Sequence, residues 1–113
     1  VVVGRRGGVH AFTPAKSAAY RTRCALFLRN EHCNRPALAG AVRVTLTVYR
    51  ERPKSNGDEW PAVRPDIDNY AKQVIDALMD AGVLRDDGQV CGLHATKFWS
   101  RGKPGVDVTV ETI

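Results

Sequence analysis

The sequence is short of cysteine, of aromatics and of long apolar runs, and each shortage excludes something. Its three cysteines, Cys24, Cys33 and Cys91, are odd in number and form no C-x-x-C pair. That argues against a disulfide framework and for a reducing compartment. His10, His32 and His94 are scattered, and His32-Cys33 has no further partners at zinc-ligand spacing. No apolar run approaches a membrane span, and no basic segment followed by an apolar core marks a secretory leader. There is no internal repeat and no low-complexity tract. At 113 residues, the chain is expected to form one domain, 1–113.

What the chain does have is positive charge, unevenly placed. Residues 1–64 carry twelve Lys/Arg against four acids, a balance of +8. Residues 65–113 carry five against eight, a balance of −3, which gives the overall +5. A basic half beside an acidic cluster suits a polyanion presented to a metal. Arg5, Arg6, Lys16, Arg21, Arg23 and Lys97 are the candidate phosphate contacts, although any exposed arginine is also an ordinary solvated residue.

The periodicity predicts an α+β fold, with two main helices packed on one face of a small mixed sheet. Val1–Val3 is β-branched, Gly4–Gly8 is a basic glycine-rich arm, and Val9–Phe12 reads as a short strand. Thr13-Pro14 then looks like a helix start, and the helix runs to about Asn30. Val42, Val44, Leu46 and Val48 alternate with polar neighbours, which marks residues 41–50 as a half-buried strand. Residues 51–63 form a long loop in which Trp60 is expected to pack back on the body. A second helix starts at Pro65-Asp66 and stops at Ala81-Gly82. Its apolar stripe is Ile67, Ala71, Val74, Ile75 and Leu78. Two more strands, 89–99 and 106–111, are expected to pair as a hairpin.

Chemistry concentrates at the two ends of that second helix. Asp66 and Asp68 lie two apart where the chain is only becoming helical, so both can point to one side. Lys72 follows Asp68 by one turn on the same face. Asp87, or alternatively Asp86, closes the group from beyond the helix end. Carboxylates hold Mg²⁺ through oxygen, and the ion neutralises phosphate charge and acidifies its bound water. Lys72 can hold the phosphate or stabilise developing charge. Each piece also has a plain structural role. Aspartate caps helices, Asp68–Lys72 is an ordinary ion pair, and Asp-Asp-Gly is an ordinary turn. The combination, D-x-D-N-x-x-K with D-D about twenty residues on, is much more specific than its parts.

The run R-P-D-I-D-N-Y-A-K-Q-V-I-D-A-L (64–78) followed by A-G-V-L-R-D-D-G-Q-V (81–90) resembles the RusA family of Holliday junction resolvases. A looser likeness touches most of the chain. The resemblance implies a homodimeric endodeoxyribonuclease that cuts four-way DNA junctions with paired nicks, using Mg²⁺ (or Mn²⁺). It implies that Asp66, Asp68 and Asp87 are catalytic metal ligands and that Lys72 is the essential lysine. Asn69 would brace the site, with Asp76 and Asp86 as supporting residues. It places the protein in the cytoplasm of a bacterium or phage-infected cell. Family members commonly carry a strand and a Pro/Asn-rich segment before the basic arm, and here only Val1–Val3 precedes it. Cleavage of other branched DNA or of RNA, and junction binding without cleavage, remain open alternatives.

Overall fold

The computed structural model describes residues 7–10 and 17–113, with side chains from Arg21 onward. The elements run β1 (Gly7–His10), α1 (Ser17–His32), β2 (Val42–Arg50), α2 (Ile67–Asp80), a 3₁₀ turn (Asp87–Gln89), β3 (Val90–Trp99) and β4 (Gly105–Thr112). The expected helix cap at Thr13-Pro14 and the strand readings at Val1–Val3 and Ala11-Phe12 lie outside the described residues.

The four strands make one mixed sheet in the order β1-β4-β2-β3. β2 is its centre, with β4 antiparallel on one side and β3 parallel on the other. The alternation along β2 decides the layers. Val42, Val44, Leu46 and Val48 point to one face and are fully buried or nearly so. Across the β2/β4 ladder, Val44, Leu46 and Val48 face Val110, Val108 and Val106. Both helices cover this valine-rich face. α1 contributes Cys24, Ala25 and Leu28, and α2 contributes Tyr70, Ala71, Val74, Ala77 and Leu78 to the same core. Tyr70 and Ala77 thus join the expected stripe, while Ile67 stays 37% exposed at the helix start.

α2 ends where its glycine requires. Gly82 has φ +79°, a left-handed backbone that suits a residue without Cβ. Val83 N–H donates back to Leu78 O at 3.0 Å and Gly82 N–H to Met79 O at 3.1 Å. These are the two reversed bonds of a Schellman motif, which satisfy carbonyls the helix leaves open. The chain then turns with Val83 and Leu84 buried, and it enters β3 parallel to β2. β2-α2-β3 is therefore a crossover unit.

The expected hairpin of the last two strands is not formed. β3 and β4 lie on opposite sides of β2, and the link 100–104 steps across the end of that strand. Ser100 N–H donates to Arg50 O at 2.6 Å as it passes. Such a link spans two inter-strand spacings, about 10 Å, well within reach of five residues. Alternation along a strand fixes which face is buried, not which neighbour it pairs with. The buried valines of β2 have their apolar match in Val106, Val108 and Val110, whereas Leu93 of β3 is 50% exposed at the sheet edge.

Candidate active site

The loop from β2 to α2 delivers two carboxylates to the positive end of a helix dipole. Asp66 occupies the cap position of α2 with an extended backbone, yet its side chain makes no capping hydrogen bond. Asp68 and Asn69 follow in the first turn and Lys72 one turn later, all exposed. Among the described residues, the ion pairs join Arg21 to Asp76 and Asp80, and Arg43 to Glu111. Asp68 and Lys72 do not pair. Neither plain role, cap or ion pair, therefore occupies Asp66, Asp68 or Lys72.

A layer of cations beneath holds the loop. The Lys97 ammonium of β3 donates to Val63 O at 2.7 Å and to Pro65 O at 3.1 Å. Arg50, at the end of β2, donates to Arg64 O and lies 3.4 Å from the Tyr70 hydroxyl. Burial pushes the Lys97 ammonium below its usual range and neighbouring Arg50 adds to this, while Asp66 partly offsets both. Burial likewise raises the Tyr70 phenol, against the pull of Arg50. Lys97 thus fixes the backbone just before Asp66. Arg50, Arg64 and Tyr70 are part of this support; Arg64 and Tyr70 lie within the family-like run 64–78, whereas Arg50 carried no sequence signal.

The second acidic group sorts its two aspartates. Asp86 accepts from Gly88 N–H at 3.1 Å and caps the 3₁₀ turn. Gln89 completes the cap, its Oε1 accepting from Arg85 and Asp86 N–H at 2.8 and 3.1 Å. Its Nε2 bolts the turn to Leu38 O and Gly40 O, both at 2.9 Å. Asp86 is committed to local structure, and Asp87 beside it is exposed.

A scan of the whole chain against protein-family descriptions matches Endodeoxyribonuclease RusA over residues 2–111. The chain belongs to the RusA endodeoxyribonuclease family. It is accordingly a hydrolase of the class that resolves Holliday junctions. The chain is also 35% identical, over 121 aligned positions, to the uncharacterized protein YqaN of Bacillus subtilis strain 168. That alignment covers 96% of this chain and 83% of the relative.

Within this RusA chain the three expected ligands fall into two places. Asp66 and Asp68 sit where α2 begins, beside the C-terminal part of β3. Asp87 sits just past the end of α2, at the opposite end of the sheet, where Val90 pairs with Val42. Fourteen residues of helix separate them, about 21 Å. Among the described residues, no three His, Cys, Asp or Glu side chains are grouped to hold a metal. Asp66 and Asp68 supply two free oxygen-donor groups, which suits a Mg²⁺ ion that retains several waters. Within one chain, no third such side chain joins them among the described residues.

The other expected residues take clear places. Arg21 is engaged in a fork with Asp80, at 2.6 and 2.9 Å, and reaches Asp76 at 3.8 Å. Arg29 adds a bond to Asp80 O at 2.6 Å. Arg21, Asp76 and Asp80 therefore tie α1 to α2. Arg23 is exposed on α1. Arg5, Arg6 and Lys16 lie outside the described residues. None of the three cysteines is in a disulfide, and no described helix is long and apolar enough to cross a membrane.

Proposed function

We propose that this chain resolves four-way DNA junctions by Mg²⁺-dependent phosphodiester hydrolysis, acting as a homodimer whose two sites are each completed by the other protomer. The observation that carries this reading is the pair of uncommitted carboxylates, Asp66 and Asp68, at the α2 N-terminus of a RusA-family chain. Asp66 and Asp68 hold the ion from one protomer, and Asp87 of a second copy supplies the ligand that lies about 21 Å away in cis. Bound Mg²⁺ neutralises charge on the attacked phosphate and lowers the pKa of its water; Mn²⁺ offers the same chemistry. Lys72, on the Asp68 face, meets a non-bridging phosphate oxygen and stabilises charge that develops there. Lys97 and Arg50 hold the loop backbone so that both carboxylates keep their aim. Asn69, exposed in the same turn, is placed to orient a carboxylate or the phosphate.

The test is nicking of a synthetic four-way junction with and without Mg²⁺, by wild type and Asp68→Asn. Symmetric cuts that need the metal and disappear in the variant are expected. Undiminished cutting by Asp68→Asn would remove Asp68 from the site, and equal cutting of flaps or linear duplex would replace junction selectivity with a broader nuclease reading.

A further inference from the structure

Sequence-wide, aromatics are few, yet half of them collect at one place outside the carboxylate site. A cavity of about 710 Å³ is lined by Tyr49, Trp60, Phe98 and Trp99, with Arg52, Glu59, Ser100 and Arg101 at its margin. These are four of the chain's eight aromatic residues, including both tryptophans. Register explains part of the cluster. Tyr49 and Phe98 are partners across the β2/β3 ladder, on the face away from the helices. Their rings stack with centroids 6.1 Å apart. Trp60 comes from the long loop and tilts over Phe98 at 5.3 Å. Trp99, the next residue of β3, donates its indole N–H to Asp58 O at 2.8 Å and carries Arg52 5.4 Å from its ring.

This is not a finished core. Trp60 is 53% exposed and Phe98 38%. The buried residue of the loop is Pro61; Trp60 does pack back on the body, over Phe98, but its other face stays open. An open aromatic face of this kind marks an interaction or ligand-binding surface. The surroundings say what kind of ligand. Arg52 and Arg101 flank the rings, and Arg101 and Lys103 line a second cavity of about 240 Å³ next to the first. An aromatic platform beside guanidinium and ammonium groups suits a ring joined to a phosphate. The larger cavity lies in the size range of sites for single small organic groups, about 300–1,000 Å³. Its position is also telling. Phe98 follows Lys97 in β3, and the loop that carries Trp60 continues directly to Asp66.

We propose that this cavity takes one unstacked nucleobase of the branched DNA, with Trp60 and Phe98 against its face and Arg52 and Arg101 meeting the adjoining phosphates. The inference rests on the DNA-cleaving reading above and adds to it a reader of unpaired bases beside the cutting site. Bases inside a duplex arm keep their faces stacked and cannot enter. A base freed at the strand-exchange point can, and its insertion would select distorted junctions over linear duplex and fix the register of the backbone against Asp66 and Asp68.

The chain reports on this site itself, because Trp60 and Trp99 are its only tryptophans. The full chain is titrated in EDTA with a four-way junction carrying one unpaired thymine at the crossover, and with the same junction carrying an abasic residue there. Tryptophan quenching and an affinity about ten-fold tighter for the thymine junction are expected. Trp60→Ala should erase that difference and leave blunt-duplex affinity unchanged, and Trp60→Phe should restore most of it. Equal binding of thymine and abasic junctions by wild type would overturn the base site alone. No binding of either would overturn the DNA reading with it. A change of oligomeric state in Trp60→Ala would reassign the patch to contact between copies and also overturn the proposal.

Discussion

Separating the D-x-D pair from Asp87 along one helix makes subunit complementation the sharpest test of the site. α2 has fourteen residues and spans about 21 Å, and β3 runs back over a similar length between Val90 and Lys97. Oxygen ligands of one Mg²⁺ each lie about 2.1 Å from it, so carboxylates at opposite ends of α2 cannot share an ion without melting the helix. Melting α2 would expose Val74, Ala77 and Leu78, all fully buried, and would strip one of the two helices from the valine face. The perturbation is to make Asp68→Asn and Asp87→Asn separately, purify each, and mix them so that protomers exchange. Each variant alone loses both sites of its dimer. A mixed dimer has one doubly defective site and one intact site, because the intact D-x-D of one protomer meets the intact Asp87 of the other. Random exchange makes about half the dimers mixed, so about a quarter of the wild-type sites return. The assay is nicking of a four-way junction, with exchange verified by native mass. Recovered cuts should be single nicks rather than symmetric pairs. If exchange is complete and no cutting returns, the ligands are not shared between protomers and the site model fails.

Three further outcomes follow from the same contacts. Lys97→Met removes the grip on Val63 O and Pro65 O, so Mg²⁺ dependence of nicking should shift to about 10–100-fold higher metal, with the circular dichroism spectrum retained. Asp86→Ala breaks the cap of the 3₁₀ turn and should cost about 1 kcal/mol in urea unfolding, whereas Asp87→Asn should leave unfolding unchanged and abolish cutting. The Arg21 hydrogen bond, reinforced by the charges of Arg21 and Arg29, holds the Asp80 carboxyl below its ordinary 3.8. Its contribution is therefore complete above that value and lost as pH falls through the lower folded one. Thermal melts of wild type and Arg21→Leu should differ by a constant small margin, at most about 4 °C, from neutral pH to about 5, and converge in strong acid.

Much of the fold was legible because local signals and tertiary demands agree. The valine alternation, the Pro65-Asp66 start and the Gly82 stop all mark real boundaries, since each reflects a physical need met within a few residues. The pairing of the last strands was not legible. Residues 89–99 and 106–111 are separated by a turn-like link, and only the apolar match between β2 and β4 reveals that β2 lies between them. The site was half legible. Asp66, Asp68, Lys72 and Asp87 stand out by residue type and spacing, but the sequence does not say that α2 holds its two acidic ends apart. Nor did it show that Arg21 is spent on Asp80 or that Lys97 faces inward, because a cation's partner depends on which elements come to lie beside it. Arg50, Tyr70 and Gln89 do their work through backbone carbonyls and a buried hydroxyl, and although Tyr70 and Gln89 lie within the family-like runs, spacing alone does not reveal those contacts.

The strand order also governs how this chain can be made. Among the described strands, β1 pairs with β4 alone, and β4 is made after the other three. The β2-α2-β3 unit can pair during synthesis, but its valine face stays half-matched until residues 105–112 emerge. β1 waits longest of the described strands, since nearly a hundred residues must appear before it meets β4. Closure of the sheet thus waits for β4, and a nascent chain stalled before it would carry both acidic groups on a fold that cannot yet shut.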